Sequence, residues 1–146
     1  PSFFAAHVWH WGDVHIENFG LQRASLISPL QDAQQLGLPF TLHTDTPVIA
    51  PNLMESIWCA VVRRTKNGVL LGPKERIDVY EALRAITLYA AWQYHEEDQK
   101  GTLETGKLAD FAVLDRNPLE LPVEEIRYIQ VLETWKEGTC IYKREV

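Results

Sequence analysis

Asp45 is the residue whose setting carries the most chemical consequence. It follows an apolar run directly, in Leu42-His43-Thr44-Asp45-Thr46-Pro47, and precedes a loop leading into a helix. In parallel α/β barrels the C-terminal ends of strands supply the active-site groups, because the loops there converge on one mouth. A carboxylate in that place can bind a metal ion and take a proton from water. An aspartate before a turn is also at home as a helix cap or the head of an Asx-turn. Local pattern alone leaves both readings open. His43, two residues earlier, falls on the same side of a period-2 strand. It faces the same mouth, supports it from behind by a hydrogen bond, or is satisfied in the interior.

A second set is His7, His10 and His15, interleaved with Trp9, Trp11 and Phe19. Imidazole is a frequent zinc ligand. The spacing His-x2-His-x4-His, however, matches no finger or zincin pattern, and no cysteine or glutamate completes it. The intervening tryptophans favour packed aromatics whose polar ring atoms find partners at a pocket wall, or packing of a loop on its scaffold. His7, His10, Trp11 and His43 are therefore the candidate substrate-binding residues. Asp45 is the candidate catalytic and metal-binding one. His95 and the Glu96-Glu97-Asp98 run read as a solvated helix end.

The elements that must position these residues follow from periodicity and punctuation. Residues 1 to 20 fit neither a period of 2 nor one of 3.6 and read as a structured loop. Leu21 to Leu36 reads as helix, with Ser28-Pro29 in a first turn and Gly37 as terminator. Pro39 to Asp45 is a short strand. Asn52 caps a helix running to about Arg64, Asn67-Gly68 is a turn, and Asp78 caps a helix from Val79 to about Tyr94. Phe111 to Leu114, Ile129 to Trp135 and Thr139 to Tyr142 read as strands. The order is αβαα, then β.

Bulk properties narrow the function classes. The chain has 146 residues, 46% hydrophobic and 23% charged, enough apolar material for a folded core. Its net charge is -6, and its basic residues are scattered, which speaks against a nucleic-acid partner. The small exception, Arg63-Arg64-Thr65-Lys66, reads as the solvated end of a helix. No apolar run approaches the roughly 20 residues needed to span a bilayer, so no membrane partner is expected. Cys59 and Cys140, each in an apolar setting, read as reduced, which points to a cytoplasmic location. The apolar start at Pro1-Ser2-Phe3-Phe4 reads as cut from something longer.

Gly101-Thr102-Leu103-Glu104-Thr105-Gly106-Lys107-Leu108-Ala109-Asp110-Phe111-Ala112-Val113-Leu114-Asp115 resembles the signature near the C-terminus of amidohydrolase superfamily enzymes. Glu81 to Thr87 with Ala90-Ala91 resembles the helix before that signature, and Thr44-Asp45-Thr46-Pro47-Val48 the element ending the last barrel strand. The finer resemblance is to the amidohydrolase family 3 branch, carried by Pro1-Ser2-Phe3-Phe4, His7, Trp11-Gly12-Asp13 and Ser28-Pro29. That branch contains N-substituted formamide deformylases and D-aminoacylase-like enzymes, and some relatives bear the name exoenzyme regulatory protein.

The resemblance implies an α/β fold. Residues 1–100 would be the last units of a (β/α)8 metal-dependent hydrolase barrel, and 101–146 the C-terminal strands of a small composite β-sandwich. It implies hydrolysis of a C–N bond, amide or formamide in type, in a small-molecule substrate. Asp45 would bind a divalent metal, zinc in type, and act as general base. The family's other metal ligands have no counterpart here, and such a barrel needs ~250 residues. The isolated chain is expected to bind no metal, to be inactive, and to self-associate through its exposed barrel surface. The alternative is a non-catalytic regulatory protein built on the same fold.

Overall fold

The computed structural model describes residues 1–145 and shows a mixed α/β architecture with two small sheets. Strands β1 (Ser2–Phe3) and β2 (Thr41–Leu42) pair in parallel, Ser2 opposite Thr41 and Phe3 opposite Leu42. The ladder continues past both ends: Thr41 N–H donates to Pro1 O and His43 N–H to Phe3 O, both at 3.1 Å. Parallel strands need a long crossover, supplied here by α1 (His7–Ala24) and α2 (Leu30–Gln35). After β2 come α3 (Leu53–Val62), α4 (Val79–Ile86) and α5 (Leu88–Gln93). An antiparallel sheet follows, with β3 (Phe111–Leu114), β4 (Val131–Lys136) and β5 (Thr139–Lys143) in that spatial order. None of the helices is long and apolar enough to cross a membrane, among the described residues.

The core is built around α3. Ile57, Trp58, Cys59, Ala60 and Val62 are buried in it, together with Phe40 and Leu42 from β2. Ile126 and Ile129, at a 3-10 turn over Val123–Tyr128, close the same core from the C-terminal side. Apolar burial of this kind drives folding at roughly 25 cal/mol per Å². The caps read from sequence form as expected. Asn52 accepts from Glu55 N–H at 3.2 Å, and Asp78 from Glu81 N–H at 2.7 Å. Leu38 N–H reaches back to Ala33 O at 3.0 Å, ending α2 at Gly37. Gly68 N–H closes the Asn67-Gly68 turn on Thr65 O at 2.9 Å.

Residues 1–20 are not a loop. They hold β1 and most of α1, which runs to Ala24 with a non-helical residue at Gly20. Gly12-Asp13 lies inside the helix. A Cβ on Gly12 would stand 2.7 Å from Thr65 Cγ2, so the glycine lets α1 approach the chain after α3. The helix expected over 21–36 is correspondingly split, its first residues ending α1 and Leu30 starting α2. The helix expected from Val79 to Tyr94 breaks at Thr87 (φ -125, ψ -87), whose hydroxyl bonds Leu83 O at 2.8 Å. Gly101 packs there: with φ +92, its Cβ would meet Ala91 Cβ at 2.8 Å and Thr87 O at 3.2 Å.

Arg63 is not a solvated helix end either. It closes α3 in the left-handed region and is wholly buried. Its Nε donates to Leu71 O (2.9 Å), Nη1 to Ser28 O (2.9 Å) and Nη2 to Ile27 O (2.7 Å). Burial pushes the guanidinium down to about 10 while Glu75 opposes the shift, so it stays charged at neutral pH. Thr65 is buried as well, whereas Arg64 and Lys66 are exposed. Cys59 is a free buried thiol, pushed up by burial, and Cys140 is free but exposed, against the apolar setting read for it.

The Gly101–Asp115 stretch works as a set of staples. Lys107 Nζ donates to Glu97 O (2.6 Å) and Thr102 Oγ1 (2.7 Å) and pairs with Glu104 at 2.9 Å. Asp110 accepts from Glu137 N–H at 2.7 Å, and Asp115 from Gln130 N–H at 2.9 Å, tying β3 to the chain around β4.

Candidate active site

Because β1 and β2 are parallel neighbours, the segments leaving them emerge at the same end of the sheet. Phe4 to His7 leave β1 there, and His43 to Asp45 leave β2. The Phe4 ring bridges the two, 4.2 Å from the His7 ring and 5.2 Å from the His43 ring. Trp11 meets His7 edge-on at 5.1 Å. His7 is held below its ordinary pKa by burial first, then by His15 and His43, while Asp45 pulls the other way. Burial and the neighbouring rings therefore favour the neutral form of His7.

Asp45 is exposed and left-handed, with φ 49. Among non-glycine residues aspartate and asparagine take that region most readily, because the short side chain can bond locally. Val48 N–H returns to Asp45 O at 2.8 Å, closing a turn. The flanking hydroxyls of Thr44 and Thr46 pair with each other at 2.9 Å, and Thr46 also reaches Ile49 O at 3.2 Å. Both hydroxyl protons are thereby used, and the carboxylate between them faces solvent. Neither an N-cap bond nor an Asx-turn bond is recorded for that side chain among the described residues; α3 is capped by Asn52.

The sequence set divides in space. His7, Trp11, His43 and Asp45 gather at one mouth. His10 is drawn to α3 instead, with Nε2 3.2 Å from Glu55 Oε1 in a contact that lacks hydrogen-bond alignment. Glu55 also lies 3.6 Å from Arg127 Nη2. The Arg127 guanidinium covers the rings of Trp9 (4.6 Å) and Trp58 (4.2 Å). Trp9 therefore serves packing, not a pocket wall.

Two further members of the imidazole and aromatic set, His15 and Phe19, stand beside it. The His15 ring lies 5.6 Å from His7 and stacks on Phe19 at 5.8 Å with a 20° interplanar angle. The signal was the spacing of four in His7, Trp11, His15 and Phe19, legible only once the segment is known to be helical.

A carboxylate with imidazoles near it is the right chemistry for a divalent metal, but the set is short. Catalytic zinc takes three protein ligands or more. Among the described residues no group of three His, Cys, Asp or Glu side chains is placed to hold an ion. A separate apolar groove of about 500 Å³ lies between α4, α5 and β3, lined by Leu83, Ile86, Ala91, Phe111 and Leu114. It shares no lining residue with the Asp45 mouth.

Comparison with known proteins places the chain in a family. The Amidohydrolase family model matches residues 2–142. The N-substituted formamide deformylase of Arthrobacter pascens is 33% identical over 135 residues, covering 92% of this chain and 25% of that protein. A crystal structure of an uncharacterized metal-dependent hydrolase from Pyrococcus furiosus superposes with a TM-score of 0.67 at 28% identity, over 82% of this chain and 24% of the other. An adenosine deaminase from Xanthomonas campestris with bound zinc shares the fold, with a TM-score of 0.62 at 22% identity, over 78% and 28%. The chain spans about a quarter of the length of the curated relatives it matches. It belongs to the amidohydrolase family.

Proposed function

We propose that this chain is the C-terminal part of a metal-dependent hydrolase that cleaves a C–N bond, amide or formamide in type, in a small molecule. Residues 1–100 are then the last units of its (β/α)8 barrel. The parallel β1–β2 pair with its helical crossover is the repeating unit of such a barrel. Residues 101–146 are the C-terminal strands of its β-sandwich, in keeping with the antiparallel β3–β4–β5 sheet. A cytoplasmic setting with both thiols reduced belongs to the same proposal.

The observation that carries the reading is Asp45: an exposed carboxylate in a left-handed turn just past the C-terminal end of a parallel strand, two residues from His43 and at the end of the sheet where His7 leaves β1. A divalent metal of zinc type, when bound, polarises water for attack on a carbonyl carbon. Asp45 would supply one carboxylate oxygen to hold such an ion and would accept a proton from water. His43 and His7 keep their rings against Phe4 and so fix the shape of the mouth. Trp11 walls the substrate side. His10, paired with Glu55, holds α1 against α3. The remaining metal ligands come from the part of the enzyme outside this chain.

The test is turnover by the full-length enzyme. With metal bound, it is expected to release formate or a carboxylate from an N-substituted amide. Asp45→Asn should lower kcat by roughly 10³-fold without changing substrate affinity much. A wild-type enzyme that binds metal yet hydrolyses no amide points to the non-catalytic regulatory alternative. Full activity in Asp45→Asn removes the assigned role.

A further inference from the structure

We infer that Arg127, carried by the 3-10 turn over Val123–Tyr128, is a positioning residue for the active site. It fixes how α1 is turned about its axis, and so where His7 and Trp11 stand at the mouth. This rests on the reading of Asp45 as the catalytic carboxylate.

The start of α1 lacks the usual anchors. Its N-cap, Ala6, makes no side-chain cap bond, and its first turn holds no acidic residue. The helix is gripped from the side instead. Trp9 lies two residues from both His7 and Trp11, about 200° round the helix, and so on the opposite face. Its ring meets Trp58 of α3 edge-on at 5.1 Å. The Arg127 guanidinium lies over both indoles, 4.6 Å from Trp9 and 4.2 Å from Trp58. The Trp58 indole N–H is buried without a hydrogen-bond partner among the described residues. That ring is therefore held by packing and by the cation upon it.

The grip is rooted in the core and reaches the mouth. Ile126 and Ile129, on either side of Arg127, are buried in the core around α3. Arg127 Nη2 stands 3.6 Å from Glu55 Oε1, and the same oxygen stands 3.2 Å from His10 Nε2. Only 21% of the Arg127 side chain and 17% of the Glu55 side chain are exposed, so water does not readily replace either. The His10 ring lies 5.3 Å from Trp11, and Trp11 lies 5.1 Å from His7. Asp45 is near enough to His7 to favour its charged form. A turn of about 10° moves a side chain at the ~5 Å outer radius of a helix by about 1 Å. Misplacement of that size costs up to about 10²-fold in rate.

The experiment uses the full-length enzyme with its metal and an N-substituted formamide as substrate. Arg127→Lys keeps a charge beside Glu55 but cannot lie flat on two indoles. It is expected to lower kcat about tenfold and to leave KM within about twofold, at a temperature where the variant is folded. Lys107→Met, which loosens the C-terminal region away from α1, should leave kcat unchanged. Wild-type kcat in Arg127→Lys, or an equal fall in Lys107→Met, would overturn the inference. Should Arg127→Lys not fold, Glu55→Gln keeps the shape, removes the charge between Arg127 and His10, and should show the same split. If the wild-type enzyme hydrolyses no amide or formamide, hydrogen exchange decides. Arg127→Lys should then speed exchange about threefold over residues 7–15 and leave Val79–Ile86 as it was. Selective loosening keeps the grip and removes only the hydrolase reading, whereas even exchange in both removes both.

Discussion

Two charged residues at opposite sides of the chain's chemistry share a backbone conformation. Arg63 closes α3 with φ 51, and Asp45 follows β2 with φ 49. Both are non-glycine residues in the left-handed region, a conformation that costs most L-residues roughly 1–2 kcal/mol and aspartate less. Their surroundings differ in every other respect. Arg63 is completely buried, and its guanidinium is spent on three carbonyls from two other segments. Asp45 is exposed, and the hydroxyls that flank it are engaged with each other and with Ile49. In the first case the left-handed turn aims a side chain inward onto backbone acceptors of those two segments. In the second it holds a carboxylate outward with nothing to do in the folded chain. Strain offset by local bonds is architecture. Strain that leaves a reactive group free points to function.

The largest expected effect separates the two on opposite readouts. Asp45→Gly relieves the left-handed residue, because glycine adopts that region freely. Stability of the full-length enzyme should be unchanged or higher by up to about 1 kcal/mol, while turnover falls roughly 10³-fold. Loss of stability would show that Asp45 holds its loop together and would dissolve the contrast. Denaturant midpoints beside initial rates decide it.

Arg63→Leu tests the other pole. Removing the guanidinium leaves the carbonyls of Leu71 and Ile27 without this donor, while Ser28 O keeps the N–H of Leu30, and it takes a cation away from Glu75. A loss of about 3 kcal/mol is expected, measured by urea unfolding. A shift in substrate affinity larger than the shift in stability would mean that Arg63 also serves the site.

Gly12 links the two regions, since it packs on Thr65, two residues from Arg63, and lies between His7 and His15 on α1. Gly12→Ala places a methyl group 2.7 Å from Thr65 Cγ2. The helix must shift, at a cost of about 2 kcal/mol. If the buried side positions the exposed side, KM should rise along with the loss of stability. A stable variant with altered KM would show that the mouth around His7 depends on α1 alone.

Legibility in the sequence follows the same divide. What depends on neighbouring residues was readable: the Asn52 and Asp78 caps, the Gly37 terminator, the Asn67-Gly68 turn and the three C-terminal strands. What depends on distant partners was not. Arg63 bonds carbonyls about 35 residues away, and a backbone acceptor leaves no mark on the sequence. The α1 helix escaped for a different reason. Its rings line one face while Val8 and Gly12 are buried on another, so polar and apolar residues never separate into the stripe that periodicity detects. The strand-end position of Asp45 was readable. That its side chain faces solvent, beside His7 and His43, required the parallel pairing of β1 with β2.

The smallest effect expected is at Lys107, which also holds three partners: Glu97 O, Thr102 Oγ1 and Glu104. By partner count it equals Arg63. By environment it does not. Glu104 is exposed, and water can replace the ammonium at the rim of the turn. Lys107→Met should therefore cost only about 1 kcal/mol, the worth of one carbonyl hydrogen bond, and high salt should change that figure little. The ratio between this loss and the one at Arg63 is the sharper measurement. If Lys107→Met destabilises as much as Arg63→Leu, partner number sets the cost of losing a cation in this fold. A threefold difference assigns it to burial, and with it the reason a buried strained turn differs from an exposed one.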